Sequence, residues 1–312
     1  MILTPVTIFQ EKEEAAPPAA GLFLDDYPGA EVAFSLRKLR TAYTGDCIRI
    51  REGSGNTEAD IGFDGSGNVD EAAIASHCAG ASGYITKWYD QSGNSYDMVQ
   101  TSTSNQFRIY DGSSVDTLNG KPTLNGVTGA SNYGNAKYLI NNSYANTGTQ
   151  VFGIQVAATG NTTLNNGAFK FGRIMAFKTS AGALDYNTTN QYISLFFQVT
   201  SPANTYGAGQ NNVFTQPSTN IVPNQQHIMT FNKNGTANAV SIDDPTVGAN
   251  TATGTISSAN LAVTTLWFGR DRSGGVDSHL LGYLQEMIVY NTEQSTDRDS
   301  MVSDVNSYWG TY

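Results

Sequence analysis

The fold is decided by one stretch of the sequence, Gly83-Tyr84-Ile85-Thr86-Lys87-Trp88-Tyr89-Asp90-Gln91-Ser92-Gly93-Asn94. Its first half is an apolar run, and its second half is a polar loop that contains glycine. A short apolar run that ends in such a loop is typical of a buried β-strand followed by a tight turn. We therefore predict a strand and a turn here, and the rest of the chain is interpreted around them.

Composition points to a large, turn-rich β protein. Of the 312 residues, 39 % are hydrophobic and only 14 % are charged, and there are 16 Tyr, 14 Phe and 3 Trp. A polar surface made of amides and hydroxyls is not typical of disordered or charge-rich helical chains. The length allows one large β domain or two smaller ones.

Charge and hydropathy exclude two classes of partner. The formal net charge is -10 and the isoelectric point is about 4.7, so binding to nucleic acid through counterion release is not expected. Salt bridges or a solvated face explain the basic group formed by Arg37, Lys38, Arg40, Arg49 and Arg51. No run approaches the roughly 18 apolar residues of a membrane span, so we expect no membrane partner.

The first 30 residues differ from the rest. Residues 2–9 can form a short strand, and the alanine- and proline-rich residues 15–20 read as an extended linker, because proline lacks an N–H group. We predict an arm and linker at residues 1–30 and a folded domain at 31–312; a disordered terminus is the alternative. An arm can dock by strand addition, so we expect residues 1–20 to bind a neighbouring protein and the chain to form a homo-oligomer. Residues 1–10 lack the basic region of a signal peptide, so secretion by one is not expected.

Several elements can be placed from local patterns. Residues 33–40 fit a short helix or an extended segment, and Cys47 to Arg51 alternate as a strand does. Asn68 and Glu71 resemble a capping box that starts a helix ending near Gly80. A last helix is predicted with Thr296 as its cap, because Met301, Val302, Val305 and Tyr308 follow helical spacing. Turn signals of the Asn-Gly type occur at four places, namely Asn119-Gly120, Asn125-Gly126, Asn166-Gly167 and Asn234-Gly235. Many short strands with regular turns favour a sandwich.

Neither a metal site nor a cofactor is expected. Cys47 and Cys78 are the only cysteines, and they fit two reduced, buried thiols or a single disulfide. The oxygen-bearing side chains of Asp90, Ser92, Asn94 and Asp97 lack the glutamate and glycine positions of a calcium-binding hand, so a tight turn explains them better.

Two sets of residues carry a resemblance to a known family. The first comprises Tyr43-Thr44-Gly45, Ile48-Arg49-Ile50-Arg51, Asp60-Ile61-Gly62, Cys78, Trp88 to Asn94 and Asn119-Gly120-Lys121-Pro122; the second is Phe268-Gly269-Arg270-Asp271. These stretches resemble the catalytic domain of the α-L-arabinofuranosidases of glycoside hydrolase family 54. The resemblance implies an all-β, concanavalin A-like jelly-roll sandwich with a few short helices, here with an extended N-terminal arm. It also implies that Asp271 is the acid/base residue.

The chain departs from that family at three points. Gly83 stands where the resembled family has the second cysteine of a disulfide. The resembled enzymes carry a sugar-binding β-trefoil, and no counterpart is found before Tyr312. The family's nucleophile is a glutamate, yet no glutamate occurs between Glu71 and Glu286. A retaining glycosidase needs two carboxylates roughly 5 Å apart.

Two kinds of side chain could stand in the place of the missing carboxylate. The expected neighbourhood offers the amides of Asn211 and Asn212, which can hydrogen-bond a sugar but cannot form a glycosyl ester. Asp185 is the alternative partner for Asp271. Glu286 lies within an apolar strand and is predicted to be a buried structural carboxylate.

The missing glutamate favours a non-catalytic role, and the resemblance implies a bacteriophage protein, because domains similar to this family's recur in phage head fibres, decoration proteins and tail proteins. We predict a non-catalytic bacteriophage structural protein (head fibre, decoration or tail component) that is made in the host cytoplasm and built into the virion through its arm. It is expected to bind cell-surface glycans through Trp88, Asn211, Asn212 and Asp271, although Trp88 is as well explained as a core residue. The alternatives are a glycoside hydrolase acting on α-L-arabinofuranosides through Asp271 and Asp185, and a carbohydrate-binding module.

Overall fold

A computed structural model describes most of the chain. The described residues are 21–127, 136–160, 171–178, 192–200, 203–210, 213–215, 222, 224–242, 250–255, 263–270 and 279–312. The expected arm at residues 1–20 lies outside them, as does the turn signal at Asn166-Gly167. The docking role and the homo-oligomer therefore stay predictions.

Strands dominate the described residues. The helices are α1 (Phe23–Asp26), α2 (Glu71–Cys78) and α3 (Arg298–Trp309), with one 3₁₀ turn at Thr103–Asn105. The strands are β1 (Val32–Ser35), β2 (Ile48–Glu52), β3 (Glu58–Ile61), β4 (Gly83–Trp88), β5 (Met98–Val99), β6 (Arg108–Tyr110), β7 (Thr117–Leu118), β8 (Lys121–Pro122), β9 (Leu124–Asn125), β10 (Leu139–Asn141), β11 (Gln150–Thr159), β12 (Phe171–Lys178), β13 (Tyr192–Thr200), β14 (Ala203–Gln210), β15 (Val213–Thr215), β16 (His227–Asn234), β17 (Ala237–Ile242), β18 (Thr251–Thr255), β19 (Thr265–Phe268) and β20 (Gly282–Tyr290).

The strands form two antiparallel layers. One layer runs β18-β17-β16-β11-β20-β1. The other runs β3-β2-β4-β5-β10-β19-β12-β13-β14-β15. Strands β6 and β9 connect the layers, since β6 pairs with β4 and β9 pairs with β20. The predicted all-β sandwich with a few short helices is therefore confirmed.

Aromatic residues fill the space between the layers. Phe34 of β1 meets Phe268 of β19 edge-on, with ring centroids 5.3 Å apart. Trp88 at the end of β4 is fully buried, packs against both rings and donates its indole N–H to the Ser35 carbonyl at 3.4 Å. Burying such rings supplies much of the hydrophobic stabilisation of the sandwich.

The turn after β4 is held by one buried carboxylate. Asp90 is 4 % exposed and accepts hydrogen bonds from the backbone amides of Ala33, Ser92 and Tyr96 at 2.9 to 3.1 Å. The Ser92 hydroxyl adds a bond of 2.7 Å. Burial raises the pKa of Asp90, and the hydrogen bonds oppose this. The expected tight turn is confirmed, with Asp90 joining β1 to the end of β4.

The Asn-Gly turn signals are confirmed where they join two strands that are consecutive in the sequence and pair with each other. Asn234-Gly235 joins β16 and β17, and Asn119-Gly120 joins β7 and β8 with positive φ at both residues. The hairpin expected at Asn125-Gly126 is wrong, because Asn125 pairs with strands distant in sequence, β6 and β20.

Helix boundaries differ slightly from expectation. Asp70, not Asn68, caps α2 by accepting the Ala73 amide at 2.9 Å. Helix α3 begins at Arg298 without a side-chain cap, so the proposed cap at Thr296 is wrong. Its expected apolar spacing is confirmed by buried Met301, Val302 and Val305.

Residues 21–30 belong to the folded domain, which corrects the boundary placed at residue 31. Phe23 and Leu24 of α1 are buried, and the Leu24 amide donates to the Leu39 carbonyl at 2.7 Å. The two apolar side chains give this short segment enough buried surface to stay docked.

A second buried carboxylate ties the C-terminal helix to the sheet. Glu286 of β20 is 0 % exposed and accepts Arg37 Nε at 2.8 Å and Nη2 at 3.1 Å. It also accepts the Ser35 hydroxyl at 2.7 Å and the Trp309 indole N–H at 3.1 Å. We call Ser35, Arg37, Glu286 and Trp309 the Glu286 cluster. The prediction of a structural carboxylate at Glu286 is confirmed.

Both cysteine thiols are free and buried, so of the two alternatives the structure shows two reduced thiols. Burial raises the pKa of the Cys47 thiol. None of the helices in the described residues has the length and apolar character that crossing a membrane requires.

Candidate functional site

Strand β19 places the segment that leads to Asp271 in the middle of a layer. It pairs with β10 on one side and β12 on the other, and Trp267 lies opposite Ile140 and Ala176. Leu266 and Phe268 are buried in the core, so the pleat turns Trp267 to the opposite face. Trp267 is therefore available for a site on the outside of this layer.

Four side chains form a column on that face. The Trp267 ring stacks on Tyr138 with centroids 5.3 Å apart and an interplanar angle of 24°. The Arg270 guanidinium lies 5.0 Å from the Tyr138 centroid, and Lys178 Nζ lies 5.0 Å from Trp267. We call these four residues the Tyr138–Trp267 stack. Each cation over a ring adds a favourable electrostatic contact.

The stack combines buried cations with partly exposed rings. Arg270 is 9 % exposed and Lys178 is 5 % exposed, whereas Tyr138 and Trp267 are only partly buried. The indole Nε1 of Trp267 is buried and finds no hydrogen-bond partner in the part of the chain that the structure describes. Partly exposed aromatic rings beside polar groups are typical of sites that hold a sugar.

A glycine sets the position of Arg270. Gly269 has φ +81°, and a Cβ there would lie 2.6 Å from the Lys137 carbonyl oxygen. Any other residue would be strained and would push β19 away from the segment that carries Tyr138. Burial lowers the pKa of the neighbouring Lys137 ammonium, which donates to the Ser104 carbonyl at 2.7 Å.

The two ends of the Asp271 segment are paired. Arg270 forms an antiparallel bridge with His279, and the Leu280 amide donates to the Gly269 carbonyl at 2.7 Å. Asp271 and Asp277 lie in the sequence between these two paired residues. Asp271 lies outside the described residues, and so does Asp185.

The described framework of the site supplies cations and rings but no acid pair. Every carboxylate between Asp116 and Glu286 falls outside the described residues, namely Asp185, Asp243, Asp244, Asp271 and Asp277. The buried Glu286 is saturated by its own cluster and does not face the stack's side of the sandwich.

The register shows where the described residues next to the predicted glycan site lie. Asn211 and Asn212 lie outside the described residues, but Gln210 at the end of β14 pairs with Val213. Across β19, β12, β13 and β14, Trp267 is level with Gly209. From this level β14 reaches Gln210 in one direction, and β19 runs to Arg270 in the other. Strands β14 and β19 are three strand spacings apart, roughly 14 Å, and Gln210 and Arg270 lie on opposite sides of this level. The described strands therefore do not bring Gln210 and Arg270 together.

Trp88 is a core residue, so the expected sugar contact through Trp88 is corrected. Its ring is 0 % exposed, and its N–H is already used within the chain. In the residues with described positions, no group of three or more His, Cys, Asp or Glu side chains could hold a metal ion.

Sequence reasoning missed Tyr138, Lys178 and Trp267. A signal existed for Trp267, because strand alternation places it on the face opposite Leu266 and Phe268. No local signal existed for Tyr138 and Lys178, which reach Trp267 only through the pairing of β10 and β12 with β19.

Comparisons with known proteins identify the fold and the family. The family described as "Alpha-L-arabinofuranosidase B, catalytic" matches residues 27–254. A family 54 α-L-arabinofuranosidase soaked with a cyclic sulfate inhibitor is 15 % identical with a TM-score of 0.66. An arabinofuranosidase complexed with arabinofuranosyl-α-1,2-xylobiose is 16 % identical with a TM-score of 0.62. Both alignments cover 88 % of this chain and 62 % of the other. No curated protein sequence matches the chain.

These findings overturn the main functional prediction. The matched family is a family of catalytic domains, and the similar structures are arabinofuranosidases, so the non-catalytic bacteriophage structural role is wrong and the glycoside hydrolase alternative fits better. The structures alone, at this level of identity, establish only the shared fold. The match at residues 27–254 covers well over half of the sequence, and the chain therefore belongs to the α-L-arabinofuranosidase B catalytic-domain family.

Proposed function

We propose that the chain is a glycoside hydrolase that acts on α-L-arabinofuranosides. The observation that carries the proposal is the family match over residues 27–254, which includes the most specific motif of the sequence, Tyr89 to Asn94. A similar structure, a Glu-to-Gln mutant of a family 54 enzyme, was soaked with 4-nitrophenyl α-L-arabinofuranoside. The chain spans about three-fifths of the length of these similar proteins, at 62 %.

The Tyr138–Trp267 stack is the proposed platform for the sugar. Its rings are partly exposed, and the buried Trp267 Nε1 has no hydrogen-bond partner among the residues that the structure describes. The stack includes Arg270, which immediately precedes Asp271 in the sequence. The buried cations Arg270 and Lys178 hold the rings at fixed spacing.

Asp271 is the proposed acid/base residue, as the family resemblance implies. Its partner carboxylate is drawn from the four other aspartates of the region, with Asp185 and Asp277 as the two candidates to test first. A partner at roughly 5 Å would give a retaining enzyme, and a separation of about 6.5 to 9.5 Å would give an inverting one. No sequence motif marks Asp277, but it lies in the segment 271–278, whose flanking residues Arg270 and His279 form a β-bridge.

The test is hydrolysis of 4-nitrophenyl α-L-arabinofuranoside by the full chain. Asp271→Asn should lower kcat by about 10²- to 10⁴-fold, since general acid catalysis contributes about that much. Asp185→Asn and Asp277→Asn, measured side by side, identify the partner by the larger loss. Glu58→Gln, an exposed carboxylate on β3, is the matched control and should leave the rate unchanged.

The stereochemical course gives an independent readout. Proton NMR of the first sugar formed reports retention or inversion, and thereby the separation of the two carboxylates. If the folded chain binds the arabinofuranoside but no turnover is measured, the enzyme proposal fails and the carbohydrate-binding module remains.

A further inference from the structure

The outward face of β16, β17 and β18 carries an unusual pattern of side chains. Residues opposite one another in these three strands form cross-strand rows of asparagine, alanine and threonine. The two rows are Asn232–Ala239–Thr253 and Asn234–Ala237–Thr255. Because side chains of one face recur every second residue, the rows are neighbours about 7 Å apart.

The rows form an open trough of about 490 Å³. The two alanines form its floor, and the asparagines and threonines form its two long sides. Asn234, Ala237, Thr253 and Thr255 are exposed. Short side chains in the middle strand leave room for a flat ring to approach the sheet, with hydrogen-bonding groups along both edges.

A third row closes one end of the trough. It consists of Thr230, Ser241 and Thr251 and borders a smaller cavity of about 70 Å³. Arg298, 5 % exposed at the start of α3, donates to the Ser241 hydroxyl at 2.5 Å and thereby fixes this end. The trough therefore has a closed end at α3 and an open end at the Asn234-Gly235 hairpin.

Two polar atoms of this surface lack partners. Asn232 Oδ1 and Thr251 Oγ1 are buried, and neither has a hydrogen-bond partner among the residues with described positions. Buried polar atoms in folded proteins are nearly always hydrogen-bonded, so unpartnered ones that line a cavity point to a ligand. One atom is an acceptor and the other is both donor and acceptor, which suits hydroxyl groups.

The chemistry of the lining selects the class of ligand. The three rows contain no charged side chain and no aromatic or large aliphatic side chain. The carboxylate of Glu293 accepts the Ser295 amide at 2.9 Å and also interacts with the Asn232 side chain, so its charge is engaged within the chain. An ion would gain little here, and an apolar ligand would meet amides and hydroxyls instead of a hydrophobic wall. A neutral molecule with many hydroxyl groups fits both facts.

We infer that this trough binds a neutral oligosaccharide at a site separate from the catalytic one. The trough lies on the layer that contains β16–β18, whereas the Tyr138–Trp267 stack lies on the other layer. It would hold the polysaccharide chain whose side groups the enzyme removes, which raises the local concentration of cleavable units. The statement that the bound polysaccharide is a pentose polymer rests on the proposed function. The statement that the trough binds a neutral sugar does not.

The inference is tested with the full chain, calorimetry and two probes, xylohexaose and arabinohexaose. The wild type should bind at least one of them. Ala237→Lys, which places a long side chain on the exposed floor, should weaken binding at least tenfold. Thr236→Lys adds the same side chain one residue away in the exposed turn and should change binding less than twofold. Neither variant should alter hydrolysis of 4-nitrophenyl α-L-arabinofuranoside, because this substrate is too short to occupy the catalytic site and the trough at the same time.

Each outcome separates the two proposals. Hexasaccharide binding without turnover supports the trough and contradicts the enzyme, whereas turnover without binding does the reverse. Unchanged affinity in Ala237→Lys overturns the inference, and Thr253→Ala combined with Thr255→Ala provides a second test that adds no bulk. If Ala237→Lys changes the oligomeric mass but not sugar binding, the surface is a contact between copies of the chain and the inference is wrong.

Discussion

The Glu286 cluster and the Tyr138–Trp267 stack use similar side chains to different ends. Both combine charged groups with an indole ring. In the Glu286 cluster the carboxylate accepts four hydrogen bonds, including one from the Trp309 indole, and is sealed from solvent. In the stack the rings are partly exposed, and the Trp267 indole N–H is unused within the described residues.

The difference teaches how to separate structural from functional polar groups in this fold. A buried charge that the chain itself saturates is expensive to disturb and has nothing left to offer a ligand. An unused donor beside an exposed ring costs stability unless a ligand completes it. Glu286 belongs to the first kind, as predicted, because its four hydrogen bonds come from the chain itself.

The largest expected effect comes from breaking the cluster. Glu286→Ala leaves the Arg37 guanidinium buried without its carboxylate, so the free energy of unfolding should fall by about 3 to 5 kcal/mol. Urea unfolding followed by circular dichroism measures this. Glu58→Ala, at an exposed position, should change it by less than about 0.5 kcal/mol. Equal losses in the two variants would contradict the comparison.

A smaller effect, confined to function, is expected from the stack. Trp267→Ala should raise KM for 4-nitrophenyl α-L-arabinofuranoside about tenfold, because loss of an aromatic contact of about 1.4 kcal/mol corresponds to that factor. Trp267→Phe keeps a ring and should recover most of the affinity. A variant that unfolds at lower urea but keeps its KM would show that the stack serves stability alone.

The smallest effect is expected from an ion pair that is partly exposed to solvent, the one formed by Asp60. Arg49 and Tyr89 donate to Asp60 at 2.6 Å, but about a third of the Asp60 side chain, 35 %, is exposed. Hydrogen bonding from Arg49 is the main cause that lowers the pKa of Asp60 from 3.8 to about 2. A lowered carboxyl pKa stabilises the fold above the unfolded pKa, and this stabilisation is lost as the pH falls through about 2.

Asp60→Asn should therefore be less stable than the wild type near pH 5 by less than about 1 kcal/mol, because solvent screens an exposed pair. The two curves of unfolding free energy against pH should converge as the pH falls from about 4 to about 2. A constant difference across that range would assign the effect to packing instead of charge.

The sequence predicts those elements whose formation depends on residues that are close together in the sequence. The β16–β17 hairpin follows from Asn234-Gly235, and α3 follows from its apolar spacing, because both signals act within a few residues. Pairing across long stretches is what defeats such reasoning. Asn125-Gly126 has the same turn chemistry as Asn234-Gly235, yet Asn125 pairs with Tyr283, 158 positions later in a sequence of 312.

The same limit applies to the sites. Asp271 could be named from its local motif, whereas Tyr138 and Lys178 meet Trp267 only because β10 and β12 flank β19. Trp88 shows the converse case, since its aromatic character fits both a sugar platform and a core, and only its burial decides. The trough was invisible for a similar reason, because its rows combine residues from three strands.

The pairing of β20 has a consequence for how the chain folds on the ribosome. Val32 of β1 pairs with Val289, and Ser35 pairs with Glu286. About 250 further residues must therefore be synthesised after β1 before its partner strand β20 is available. At about 5 to 20 residues per second, that delay lasts on the order of tens of seconds. Sheets built from such distant contacts also fold slowly. During synthesis the edge of β11 that pairs with β20 in the folded protein is likewise unpaired. This layer can be completed only when β20 has been synthesised. Chaperone binding during that interval would protect the unpaired edges of β1 and β11 from aggregation.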